Sequence, residues 1–316
     1  MSYVGPDFEP PQNRRPRRGP LTVALAALVP GALLGWLVYE TVGVSGDDGG
    51  SGRAAVRSSP PAASSAPSDD AKEPGPSLEP TAPSSAAAPA ASGPLKGKVV
   101  VIDPGHNPGN FQHASEINRK VNIGTNRKEC DTTGTSTNDG YTEAAFTLDV
   151  AHRMRTLLEK QGATVKLTQD GDRPYGPCVD ERARIGNRAK ADAVVSIHAD
   201  GSGAGNRGFH VILPGAVEAG AADTGAIVGP SRDLGERVAG RFVAVTGSTP
   251  SNYLGDGSGL VTRKDLGGLN LSTVPKVFIE CGNMRDSKDA ALLTSGAWRQ
   301  KAAQGISEGI RGFLNR

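Results

Sequence analysis

The chain has 316 residues and carries 35 Lys plus Arg against 33 Asp plus Glu, a formal net charge of +2. That near-neutral balance lacks the basic footprint of backbone-driven nucleic-acid binding, and 4% aromatic content gives no stacking platform for single strands. Three cysteines without CxxC spacing exclude a disulfide-framework miniprotein and a four-cysteine zinc module.

Residues 1–19 are polar and Pro-rich, and Arg14, Arg15, Arg17 and Arg18 cluster immediately before an uncharged stretch from Gly19 to Tyr39. As a helix that stretch would reach roughly 30 Å, the thickness of a bilayer's hydrocarbon core. The segment 20–40 therefore reads as a transmembrane anchor or as a signal segment removed on export, since both share this order of charge and apolarity. Pro30 and Gly31 interrupt it, and either reading places the rest of the chain outside the cytoplasm. Between Ser45 and Leu95, 38 of 51 residues are Pro, Ala, Gly or Ser. Too little apolar surface is present to offset the entropy of ordering, so 41–95 is expected to be a disordered linker.

From 96 to 316 the composition becomes globular and long enough for one domain with a sizeable core. Strand-like runs are predicted at 98–103, 163–168, 193–198, 208–213 and 276–281. Phe146, Val150, Met154, Leu157 and Leu158 form one apolar stripe on a helix predicted over 142–160. Further helices are expected near 179–190, 231–246 and 296–314. This alternation predicts an α/β fold, a mostly parallel twisted sheet with helices on both faces, forming a single catalytic domain.

In such a sheet, ligands sit beyond the carboxyl ends of the strands. His106 follows the first strand in DPGH, His198 closes VVSIH, Glu280 closes VFIE, and Glu143 opens the amphipathic helix, where the helix dipole favours its charge. Two imidazoles and a carboxylate, with a position left open to water, make the donor set of a hydrolytic zinc site, and a second carboxylate can carry its proton. Read singly, each residue also has an ordinary structural explanation: a hydrogen-bonded strand-end histidine, or a dipole contact.

The stretch from Lys98 to Leu314 resembles the zinc-dependent N-acetylmuramoyl-L-alanine amidases of the amidase 3 type. The resemblance rests on VVIDPGH (100–106), on Glu143 with the helix it opens, on ERARIGNRAKADAVVSIHAD (181–200) and on VPKVFIECGNMRDSKDAALL (274–293). It implies Zn2+ held by His106, Glu143 and His198, with Glu280 as general base and acid. The implied reaction is hydrolysis of the amide between N-acetylmuramic acid and L-alanine in peptidoglycan, in cell-wall remodelling. Three features depart from the common pattern: Asn107-Pro108-Gly109 after His106, some 35 residues before Glu143, and Asp200 in place of the commoner Asn. The long loop looks like that of actinobacterial members; it could cover the cleft as a lid or simply lie on the surface, and a cleft-side place is expected from its position. The same four residues could also run a zinc peptidase cutting within the stem peptide. A catalytically silent peptidoglycan-binding regulator would be expected to have lost one of them. A glycosidase using Glu143 and Glu280 would leave both strand-end histidines without a role.

An exported domain meets an oxidising compartment, so Cys130 and Cys178 are expected to form a disulfide that pins the long loop. Cys281 follows Glu280 on its strand and should be a buried thiol on the opposite face. His152 is expected to face solvent, His113 to sample the cleft from the loop, and His210 to be structural. Arg182 and Arg184 are read as a solvated helix face, with a substrate-carboxylate contact as the alternative. Asn283 is expected to bond backbone at its strand end, and Arg263 and Leu269 to help line a groove.

Overall fold

The computed structural model describes residues 92–316. The basic tail, the segment 20–40 and nearly all of the expected linker lie outside the described residues. Among the described residues no helix is long and apolar enough to cross a membrane.

Six strands form the central sheet in the order β4-β1-β5-β10-β6-β9. They are β1 (Val99–Pro104), β4 (Thr164–Leu167), β5 (Ala193–Asp200), β10 (Lys276–Asn283), β6 (His210–Pro214) and β9 (Leu260–Arg263). The first four run parallel; β6 pairs antiparallel with β10, and β9 runs parallel to β6. The mostly parallel sheet read from the sequence is what the chain forms, with one reversal at the β10–β6 seam.

The two faces of the sheet are unequal, and strand periodicity explains why. Val100 and Ile102 of β1, Val195 and Ile197 of β5, and Val277, Ile279 and Cys281 of β10 point into one large core. That core is completed by α2 (Glu143–Glu159), α4 (Gly225–Thr246) and α7 (Gly296–Leu314). The alternate residues turn to the other face, where α3 (Val179–Arg188) packs on Val101 and Val194 in a small cluster. Side chains alternate with period two, so Asp103, Ser196, His198, Lys276, Phe278 and Glu280 all fall on this thinner face. Beyond the end of α3 the sheet is left open, and that opening becomes the cleft.

The expected long loop between β1 and α2 carries structure of its own. A 3-10 turn (Asn110–Gln112) leads into α1 (Ala114–Ile117) and then a hairpin of β2 (Lys120–Asn122) and β3 (Arg127–Glu129). Cys130, next after β3, is bonded to Cys178 at the start of α3, with 4.2 Å between their α-carbons. The loop is thereby stitched to the helix on the open face of the sheet. A second hairpin, β7 (Glu218–Ala219) with β8 (Ala222–Asp223), and the short helices α5 (Gly267–Asn270) and α6 (Ser287–Leu293) complete the domain.

Candidate active site

His106, Glu143 and His198 each offer one donor atom, and these atoms lie within 4.8 Å of one another. Three separate elements bring them together. His106 sits in the turn that leaves β1 and takes a left-handed backbone (φ 63°), an uncommon conformation for a residue with a β-carbon. Gly105 before it lies so close to His198 that a β-carbon there would fall 2.3 Å from the imidazole. Thr147 of α2 donates its hydroxyl to the Gly105 carbonyl at 2.7 Å, fixing that turn to the helix.

Glu143 is buried where α2 begins, behind Thr142, whose hydroxyl caps the helix by accepting from Ala145 N–H. One carboxylate oxygen lies 2.9 Å from His198 Nδ1 and 3.2 Å from His106 Nε2, and accepts the Ala199 N–H. The other accepts the Thr135 N–H at 3.0 Å. His106 Nδ1 faces the Thr132 carbonyl at 3.0 Å, which fixes its proton there and turns Nε2 towards Glu143.

A buried ion network stands behind His106. Asp131 lies 3.5 Å from His106 Nδ1 and accepts from Arg182 Nη2 at 2.9 Å. Arg182 also donates to Asp103 at 2.8 Å and to the carbonyls of Pro104, His106 and Pro177. Asp103 further accepts from Thr168, Ser196 and Lys276 Nζ. Burial would raise the Asp103 pKa, but Lys276 and Arg182 hold the carboxyl well below the usual range; Asp131 is held at about 2 against the same opposition, chiefly by Arg182. Arg182 is therefore neither a solvated surface charge nor a substrate contact. It positions His106 through Asp131 and the backbone. Arg184, by contrast, is exposed and pairs with Asp180 one turn away.

The donors fit a divalent cation. Burial alone would lower the His106 pKa, yet Glu143 and Asp131 outweigh it and push it up to about 10. The pocket thus favours positive charge. Two imidazoles and one carboxylate are the donor types that bind zinc in hydrolytic sites.

Glu280 completes the group. In the parallel pairing of β5 and β10 it lies in register with His198, on the same face. Its Oε2 is buried without a hydrogen-bond partner. Burial, then the nearby Glu143 and Asp200 charges, push its carboxyl well above the usual range. In front lies a cleft of about 300 Å³ whose lining includes His106, His198, Glu280, Phe278, Lys128 and Arg263. Asp131 and Thr132 also reach it from the segment after β3, so part of the long loop borders the cleft.

The remaining sequence candidates lie elsewhere. His113 is stacked beside Tyr175, outside the donor cluster, and His152 pairs with Asp170 at the surface. His210 is buried in β6 opposite Glu280 in register, with Tyr253 edge-on to it, and Tyr253 donates to Asp200 at 2.7 Å. Asn283 Nδ2 donates to the carbonyls of Ser202, Gly203 and Asn206. Leu269 is wholly buried and does not line the cleft. Cys281 is buried behind the sheet, where desolvation pushes its thiol up. Local sequence pattern does not mark Asp131 or Thr135 as site residues. For Asp103 a signal existed: an ionised residue inside the apolar run VVVID demands a buried partner.

The chain is a hydrolytic enzyme by its family, and its candidate site lies at the carboxyl ends of the parallel strands. The chain belongs to the N-acetylmuramoyl-L-alanine amidase family, whose pattern it matches over residues 100–312. It is 41% identical over 222 residues to the N-acetylmuramoyl-L-alanine amidase Rv3717 of Mycobacterium tuberculosis, covering 70% of this chain and 88% of the relative. Crystal structures of the amidase Ami1 from Mycobacterium smegmatis and Mycobacterium abscessus are similar, at 40% and 41% identity. Each has a TM-score of 0.64 over 70% of this chain, covering 98% and 100% of theirs.

Proposed function

We propose that this protein is a zinc-dependent N-acetylmuramoyl-L-alanine amidase acting on peptidoglycan outside the cytoplasm. The observation that carries the reading is the meeting of His106, Glu143 and His198 around one point, beside a cleft that also holds the raised carboxyl of Glu280. His106, Glu143 and His198 would hold the ion. A zinc ion held there would supply Lewis acidity towards the scissile carbonyl and a nearby water. Export would run through the 20–40 segment, kept as a single-pass anchor or cleaved.

The chain's own residues supply the rest. Asp131 and the Thr132 carbonyl fix the His106 tautomer, and the N–H groups of Thr135 and Ala199 fix the rotamer of Glu143. Glu280 takes the proton of the attacking water and delivers it to the departing alanine nitrogen. Its raised proton affinity favours holding that proton between the two transfers.

Incubation of the purified protein and zinc with a muramyl peptide, read by mass spectrometry, tests the reading. A free peptide beginning at L-alanine together with intact muramic acid is expected. Alanine left on the sugar would identify a stem-peptide peptidase, and no cleavage by a folded, metal-loaded chain would identify a silent binding protein.

A further inference from the structure

The substrate class proposed above has two unlike halves, a charged peptide and an uncharged glycan, and the domain has two unlike grooves beside the donor cluster. The cleft already described carries Lys128, Arg263 and Asp265 on its walls. A second groove of about 420 Å³ lies beside it, lined by residues that include Pro108, Phe111, Thr133, Thr135, Ser136 and Thr142. No residue lining this second groove is charged.

Only a thin ridge divides the two. Thr132 borders the first groove, and Thr133, Gly134 and Thr135 border the second. At the ridge Gly134 has φ 73°, and a β-carbon there would fall 2.7 Å from the His106 ring and 2.8 Å from Glu143 Oε2. Backbone alone therefore separates the second groove from two of the three donors.

Phe111 is the most exposed large hydrophobic residue of the described chain, at 69%. It does not ride on a loose tip. The buried Asn107 ties its turn down by donating to the carbonyls of Arg173 and Gly176, and the buried Asn110 accepts the Gly176 N–H. Asn110 Nδ2 also donates at 2.7 Å to the Thr132 carbonyl, the same oxygen that His106 Nδ1 faces at 3.0 Å. One carbonyl thus sets the ring's platform relative to the catalytic imidazole. An aromatic ring presented to solvent from a fixed backbone platform costs apolar exposure unless a ligand covers it. Hydroxyls around an aromatic face suit a sugar, whose ring C–H groups meet the negative π face while its hydroxyls and acetamido group bond to threonine and serine.

We propose that the groove around Phe111 is the glycan subsite, seating the muramic acid ring while the stem peptide occupies the charged cleft. This inference rests on the amidase reading for its occupant, and its test separates the two. Wild-type, Phe111→Ala and Phe111→Tyr proteins, each as the full chain, are titrated by NMR with the peptide-free disaccharide N-acetylglucosaminyl-N-acetylmuramic acid. They are also assayed on a muramyl dipeptide and on its sugar-free counterpart, D-lactyl-L-alanyl-D-isoglutamine.

The disaccharide should shift the amides of Thr133, Thr135 and Ser136. Phe111→Ala should weaken that binding and raise KM on the sugar-bearing substrate by roughly fivefold. The sugar-free substrate should be processed unchanged, and Phe111→Tyr should behave as wild type. Equal losses on both substrates, or disaccharide binding indifferent to Phe111→Ala, overturns the subsite. Disaccharide binding that depends on Phe111, with neither amide cut by the wild type, would instead uphold the subsite and refute the amidase reading.

Discussion

Glu280 stands opposite His198 in the parallel register of β5 and β10. A carboxyl group and an imidazole therefore leave the same sheet face side by side, one strand apart. Neighbouring parallel strands place equivalent residues within about 5 Å, so the group proposed to carry the proton is held next to one that would hold the ion. Glu143 approaches the same imidazole from the start of α2, at 2.9 Å. The two glutamates thus reach His198 from a strand and from a helix, in unlike surroundings. Glu143 receives two backbone N–H groups and both histidines, whereas Glu280 keeps a buried oxygen with no partner. Such a difference separates a group suited to stay ionised from one suited to exchange a proton.

The network behind His106 should set metal affinity. His106→Ala and Glu143→Ala are expected to abolish stoichiometric zinc binding. Asp131→Asn removes only the charge that orients His106, and should weaken zinc by 10- to 100-fold, the range typical of such outer partners. Competition against a chromophoric chelator measures both. An Asp131→Asn protein with wild-type affinity would show that the Thr132 carbonyl alone sets the imidazole.

Asp103 should govern stability in acid. Its folded pKa lies below the ordinary carboxylate value near 4, so its contribution is complete above that value and is lost as pH falls towards the folded pKa. Wild-type stability should therefore drop from pH 5 to pH 3. Asp103→Asn leaves Arg182 and Lys276 without their shared counter-charge and should cost about 3 to 5 kcal/mol at pH 7, with a shallower acid limb. Urea denaturation at pH 7, 5 and 3 compares the two proteins; parallel acid limbs would remove Asp103 as their cause.

Much of this was legible in the sequence, and the exceptions share a reason. The apolar runs of β1, β5 and β10 and the stripe of α2 mark their elements, and the polar residues closing those runs mark the site. β9 is a four-residue edge strand within a Gly- and Ser-rich stretch, and α6 has seven residues, too few for a periodic pattern. Arg182 looked like surface because its partners Asp103 and Asp131 lie 79 and 51 residues away. Contacts at that separation leave no mark in local periodicity. Phe111 carried no sequence signal either, since one aromatic in a polar loop reads the same whether buried or exposed.

The bond between Cys130 and Cys178 closes a 48-residue separation. Loop-closure entropy for that length corresponds to about 4 kcal/mol. The Cys130→Ser/Cys178→Ser protein should unfold at a correspondingly lower urea midpoint, and a reductant should lower the wild type to match. Because Asp131 follows Cys130 directly, the double variant should also lose zinc affinity. A destabilised protein with unchanged zinc binding would confine the disulfide to a structural role.

In the mechanism proposed for this site, Glu280 moves the proton while the other three residues hold the metal. Glu280→Gln tests it by measuring zinc content and turnover of a muramyl peptide on the same sample. Glu280→Gln should keep a full equivalent of zinc and lose about 10²- to 10⁴-fold in kcat, the usual scale of general acid–base catalysis. A zinc-loaded Glu280→Gln protein that retained wild-type turnover would contradict it.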